Sequence, residues 1–275
     1  MTTAQRPRKT SSTPKPQPRR RLDLVPQFYL DLEDAEMVVT DTLVAIKDTI
    51  VETVEARAMS LIYGDPGLGK TFSTKAALQE MDPDLVLTLD LARSNPGPKD
   101  LREELFHQMH LKTKMPGTPT AFDRLLREAL PRRPYVIVAD EAQQYNRVSF
   151  EFLRKLWDNC RPRPAIVFIG SPEAYTTLQS DPALASRLYM RQEILAMSED
   201  DVLTIIPESH PVWRGVEAGL LQHLDGDFAQ GSFREWAKAT RFAVKGLKRF
   251  KTDQVDRALI DWVLSQVVRT DYATA

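Results

Sequence analysis

The sequence predicts an α/β fold, a parallel sheet with helices on both faces, followed by a small C-terminal helical domain. Three observations carry the prediction. Short, mostly apolar segments at 59–63, 85–89, 135–139 and 165–169 are rich in Val, Ile and Leu, as strands buried on both faces should be. Helical stretches separate them, and strands alternating with helices make a parallel sheet covered on both sides. After about residue 197 the strand pattern ends and only helical signals remain.

The elements follow in chain order. Residues 1–26 hold Pro7, Pro14, Pro16, Pro18 and Pro26 among Ser, Thr and Arg with no apolar periodicity, which predicts a disordered or extended arm. Seven basic residues and no acidic one fall within 1–21, so a chain of net charge −1 has a body near −8. A basic arm on an acidic body suits nucleic acid or another polyanion. Leu43, Ile46, Ile50 and Val54 recur at helical spacing and predict an amphipathic helix over 34–57. Further helices are expected at 98–110, 120–130 and 149–159. An α/β domain thus spans 27–197 and a helical domain 198–275. Within the latter, Ser198 with Asp201 and Ser232 with Glu235 have capping-box spacing. Val255, Leu259, Trp262, Val263 and Val267 fit one face of a final helix.

Composition removes several classes of function. Cys160 is the one cysteine, which excludes a disulfide framework and a thiolate metal site. No apolar run approaches the roughly 20 residues that span a bilayer, and the N-terminus lacks a signal peptide's apolar segment. A soluble, cytoplasmic protein with no membrane partner is expected. His107 and His110 have no further ligand nearby in sequence, so no zinc site is expected. The four tryptophans, Trp157, Trp213, Trp236 and Trp262, are expected in packing roles.

Gly64-Asp65-Pro66-Gly67-Leu68-Gly69-Lys70-Thr71 satisfies G-x-x-x-x-G-K-[ST] between a predicted strand and a predicted helix. Glycines let backbone N–H groups converge on the α- and β-phosphates of ATP, and the following helix aims its positive end at the same anion. Lys70 would reach the β- and γ-phosphates, the Thr71 hydroxyl would ligate Mg²⁺, and Phe72 joins the cofactor-binding set. The segment 135–141, Tyr-Val-Ile-Val-Ala-Asp-Glu, is a strand ending in two carboxylates. Asp140 would hold the Mg²⁺ shell, and Glu141 would orient and deprotonate the attacking water.

Three further residues complete the expected site. Ser171 follows the apolar strand at 165–169, and a polar residue there would contact the γ-phosphate or the water. Arg187 would reach the ATP of a neighbouring subunit as an arginine finger, with Arg191 as the alternate. Arg234, at the start of the helix capped by Ser232, would swing onto the γ-phosphate. The run Asp140-Glu141-Ala142-Gln143 also suits a DEAD/DEAQ-type helicase, but 275 residues leave little room for a second RecA-like domain.

Taken in order, Gly64 to Thr71, Asp140-Glu141, Ser171, Arg187 and Arg234, followed by a helical lid, resemble the P-loop AAA+ family over about residues 34–268. Within it, Asp140-Glu141-Ala142-Gln143, Ile169-Gly170-Ser171-Pro172-Glu173 and the short lid look most like the transposition regulators, the phage Mu B protein and the TnsC and TniB ATPases. Ser171 stands where Asn or Thr is common in the family, and the segment before residue 27 matches none of its pattern. The resemblance implies an ATPase that assembles as a ring or helical filament on double-stranded DNA. It also implies recruitment or stimulation of a transposase, with hydrolysis driving disassembly. On that view DNA meets loops after the second strand, with Arg93, Lys99, Lys112 and Lys114 on phosphates, or a lid cluster of Arg241, Lys245, Lys248, Arg249 and Lys251. A replication initiator or helicase loader shares the same ATP parts, and an oligomeric signalling switch would need no DNA.

Overall fold

The chain enters the sheet through helix α1 (Asp41–Glu55), strand β1 (Met59–Gly64) and helix α2 (Lys70–Leu78). Strand β2 (Val86–Thr88) leads through α3 (Pro98–Gln108) and α4 (Pro119–Ala129) to β3 (Val136–Ala139). Helix α5 (Arg147–Asn159), β4 (Ala165–Gly170), α6 (Pro172–Gln179), α7 (Pro182–Ala185) and β5 (Leu188–Ile194) complete the α/β part. Helices α8 (Glu199–Ser209), α9 (Ala218–Leu224), α10 (Phe233–Phe250) and α11 (Arg257–Asp271) follow. This computed structural model describes residues 24–89 and 95–271.

Among the described residues the strands form one five-stranded parallel sheet in the order β2-β3-β4-β1-β5. In β1 to β4 alternate residues feed different cores, which is why these strands read as largely apolar runs, whereas the edge strand β5 buries only its end residues Leu188 and Ile194. Leu61, Ile137, Ile166 and Phe168 join one cluster with α3, α4 and α5. Ile62, Val136, Val138, Val167 and Ile169 join another beneath α1 and α2. The C-terminal helices close around a third cluster centred on Trp213 and Trp236, whose rings meet edge to face at 5.4 Å. Trp157 is also buried, and Trp262 packs against the third cluster from its margin.

The differences from the sequence expectation have local causes. Helix α1 begins at Asp41 rather than near 34 because the Thr40 hydroxyl accepts from the Leu43 N–H at 3.1 Å. The backbone before it is engaged elsewhere, with the Glu36 N–H donating to the Ser209 carbonyl at 2.8 Å. The capping box of Ser198 and Asp201 is reciprocal. At Ser232 only half of the box forms, because the Glu235 carboxylate turns to Lys238 at 2.8 Å. Residues 1–23 of the expected arm lie outside the described residues, while Leu24 is buried in the core under α1. No described helix is long and apolar enough to cross a membrane.

Candidate functional site

Because the sheet is parallel, the C-terminal ends of its strands lie along one edge, where ligands of open α/β sheets bind. Strand β4 lies between β1 and β3, so three chain turns converge: the glycine loop after β1, Asp140-Glu141 after β3 and Ser171 after β4. They open on a cavity of about 410 Å³.

The glycine loop has the backbone that phosphate binding requires. Gly69 starts α2 with φ +82°, a left-handed conformation that a side chain would strain, and offers no side chain to cap the helix. The first N–H groups of α2 are therefore left for an anion. At Gly67 (φ +90°) an added Cβ would lie 2.6 Å from Ser232 Oγ, since the start of α10 presses on the loop. The Arg234 N–H donates to the Gly67 carbonyl at 3.2 Å, a direct tie between the C-terminal helices and the loop.

Lys70 Nζ donates to the Gly64 and Asp65 carbonyls, both at 2.7 Å. Burial holds its pKa below the usual lysine value, opposed by the carboxylates of Glu141, Asp140 and Asp65. Burial likewise raises the Asp140 carboxyl, while the Glu141 N–H (2.8 Å) and the Thr71 hydroxyl favour its ionised form. Glu141 takes a left-handed backbone (φ 52°, ψ 43°), rare for a residue with a side chain and here the sharp exit from β3. Gln143 bridges two of the turns. Its amide N–H donates to the Glu141 carboxylate, and its carbonyl accepts the Ser171 N–H at 3.1 Å. Ser171 is buried at the start of α6, and its hydroxyl donates to the Glu173 carboxylate.

The cavity wall contains Pro66, Gly67, Gly69, Lys70, Thr71, Phe72, Asp140, Glu141, Ser171 and Arg234. Gly64, Asp65 and Leu68 shape the loop from behind, Leu68 being buried. Arg187 stands away from this cavity. Its Nε donates to both Asp158 oxygens at 2.9–3.0 Å and its Nη1 to the Ala183 carbonyl at 2.8 Å. Arg191 lies on β5 with Nη2 on the Ala185 carbonyl at 2.7 Å. Lys99 pairs with Glu103 at 3.8 Å, and Lys112 and Lys114 are exposed between α3 and α4, none of them lining the cavity. Arg93 lies outside the described residues.

The sequence reading missed the opposite wall. Phe28, Tyr29, Met37 and Val38 from the segment before α1 line the cavity together with Ile205 and Ile206 of α8 and His210 just after it. Phe28 contacts Phe72 at 5.1 Å between ring centres, Arg234 lies over Tyr29 at 5.6 Å, and His210 Nε2 is 3.0 Å from the Glu33 carbonyl. The adjacent aromatics Phe28-Tyr29 were the available signal. One end of the cavity is thus apolar and aromatic, and the other carries a lysine, two carboxylates and free helix N–H groups. That donor set fits a nucleoside triphosphate with a divalent cation.

Residues 53–178 match a family model described as an AAA domain. No curated protein matches the chain. The Aeropyrum pernix ORC2 protein, solved as ADPNP-ADP complexes, is 16% identical at a TM-score of 0.61, covering 82% of this chain and 66% of that one. The A. pernix ORC1 protein, solved in complex with DNA, is 16% identical at 0.62, covering 90% and 69%. The Thermotoga maritima RuvB Holliday junction branch migration motor is 15% identical at 0.55, covering 88% and 72%. The chain therefore spans about two thirds of the length of the ORC structures. At such identities the likeness speaks to fold, and with the glycine loop and strand order it identifies this one: a P-loop AAA+ fold, similar to the AAA domain model over residues 53–178, with a helical C-terminal region.

Proposed function

We propose that this chain is an ATPase that binds ATP with Mg²⁺ in the cavity and acts on double-stranded DNA as a nucleotide-controlled oligomer, in the manner of the regulators of DNA transposition. The observation that carries the reading is the convergence of Lys70, Thr71, Asp140, Glu141, Ser171 and Arg234 on one cavity from four separate turns and helices.

Each side chain has a task. Lys70, now satisfied by two loop carbonyls, exchanges them for phosphate oxygens, and partial burial makes that exchange favourable because charged acceptors offset the desolvation of its ammonium better than neutral carbonyls do. Thr71 and Asp140, hydrogen-bonded to each other, are the oxygen donors that would hold Mg²⁺. When bound, the ion draws negative charge off the phosphates. Glu141 accepts the proton of the attacking water, and Gln143 holds its carboxylate in place while the same amide reads the position of the Ser171 turn. Arg234 supplies positive charge from the lid side. The aromatic wall of Phe28, Tyr29 and Phe72 takes the base. Arg187, held by Asp158 away from its own cavity, serves the neighbouring copy.

The finer part, a transposase partner and a ring or filament on target DNA, rests on the resemblance in the Asp140–Gln143 and Ile169–Glu173 segments. A second reading, a replication initiator or helicase loader, draws on the likeness to an ORC1 protein solved with DNA. The test is electron microscopy with plasmid-length duplex and a non-hydrolysable ATP analogue or ADP. Filaments or rings on DNA with the analogue alone are expected. Protein that binds ATP but never DNA would sink the DNA part and leave the ATPase. Co-purification with a transposase or with a replicative helicase separates the two readings.

A further inference from the structure

Helix α10 has two faces of opposite character. Trp236, Ala239, Thr240, Ala243 and Gly246 are buried in the third core. Arg241, Lys245, Lys248 and Arg249 lie on the other side at helical spacing, with Lys251 at the C-cap, and all five are exposed. No acidic residue occurs between Trp236 and Thr252 in a chain that has 38 of them. Exposed basic residues elsewhere commonly have carboxylate partners, as in Lys47–Glu80, Arg133–Asp82, Arg214–Glu36 and Arg257–Asp261. Among the described residues no ion pair reaches these five. Arg241 donates to the Leu30 carbonyl at 3.1 Å, and Arg249 rests 5.9 Å from the Phe250 and Trp262 rings.

The face is also rigidly mounted. A Cβ at Gly246 would lie 2.5 Å from a Leu259 methyl and 2.8 Å from the Trp262 ring, so α10 and α11 are in close contact there. At 1.5 Å per residue the row from Arg241 to Lys248 is about 10 Å long, the axial length of roughly three phosphates of one DNA strand. The other end of the helix holds Arg234 in the cavity wall and bonds its N–H to Gly67.

We propose that this face of α10 is a sequence-independent contact for the phosphate backbone of duplex DNA, on the helix that also touches the nucleotide loop. The inference rests on the proposed DNA association and names its place. Lysines and arginines without Asn or Gln among them suit phosphates rather than base edges. Because one rigid helix meets both ligands, bound nucleotide sets where the basic face stands, and duplex DNA alters nucleotide affinity by the same factor in return.

The experiment is duplex-DNA binding by fluorescence anisotropy across a salt series with a non-hydrolysable ATP analogue. It compares the full chain with the K245A/K248A/R249A triple variant, the single exchange K245E and a K112A/K114A variant. None of these positions lines the cavity, so DNA-free ATP hydrolysis serves as the folding control. The triple variant is expected to bind at least tenfold more weakly at moderate salt and to lower the log–log salt slope by about 2–3, since each phosphate contact contributes roughly 0.9. K245E should move both quantities in the same direction. Wild-type affinity and slope in these variants, with a loss only in K112A/K114A, would overturn the placement while leaving DNA association intact. A wild-type chain that binds no duplex in any nucleotide state would overturn both.

Discussion

At the residue scale the site is dominated by groups whose charge is costly where they sit. Burial raises the Asp140 carboxyl, so the folded chain holds its proton more readily than the unfolded chain does. By linkage this weakens stability as pH rises from the ordinary Asp value near 3.9 through the raised one. Asp140→Asn should therefore raise the melting temperature of the nucleotide-free protein at pH 7, an advantage that fades towards pH 3–4, while abolishing Mg²⁺-dependent hydrolysis. Calorimetry across pH together with phosphate release checks both halves. Gln143 gives a second test. Removing its amide leaves the Glu141 carboxylate and the Ser171 N–H without their shared partner. Gln143→Ala should lower kcat by about 10- to 100-fold, the scale of a mispositioned general base, with ATP affinity little changed. Cys160 is a simpler probe: buried, with its thiol pushed up to about 11, it should resist alkylation at pH 8 until the chain unfolds.

At the element scale the decisive joints are helix ends and helix crossings. The start of α10 meets the glycine loop at Gly67, and its later turns meet α11 at Gly246. Gly246→Val places methyl groups where Leu259 and Trp262 already stand. A β-branched residue recovers only a few tenths of a kcal/mol of helix propensity over glycine, whereas overpacking costs about 1–3 kcal/mol, so the variant should be less stable by denaturant titration. The elements themselves were largely legible. Strands at 59–63, 85–89, 135–139 and 165–169 emerge within a residue or two at either end, because burial on both faces leaves each an uninterrupted apolar run. The first helix was overextended, since apolar spacing continues past the point where the Thr40 hydroxyl starts the turn. The box at Ser232 was half right because Lys238, one turn on, competes for the Glu235 carboxylate.

At the scale of the whole molecule, Arg187 separates a self-contained site from a shared one. It is tied to Asp158 and the Ala183 carbonyl, outside its own cavity. If it serves a neighbour, Arg187→Ala and Lys70→Ala should each abolish DNA-stimulated hydrolysis alone. Mixed in equal amounts they should regain activity, because about a quarter of the junctions then join an intact loop to an intact arginine. A mixture as inactive as its parts would place the finger elsewhere, Arg191 being next.

What the sequence determined by itself was everything contiguous. The octapeptide Gly64–Thr71 holds its donors within one loop, and Asp140-Glu141 follow directly on their strand, so residue type and spacing suffice to read them. The order β3-β4-β1, which seats Ser171 between the two motifs, was also within reach from the fold class. Tertiary structure alone decided the apolar half of the cavity. Glu33 and His210 stand 177 residues apart in the chain, the bonded pair Glu36 and Ser209 lies nearly as far across it, and no local pattern marks a segment as packed against a distant helix. It also decided which lysines and arginines are neutralised and which are free. Ion pairing depends on what lies across a few ångströms of space, and a charge read along the chain carries no record of that.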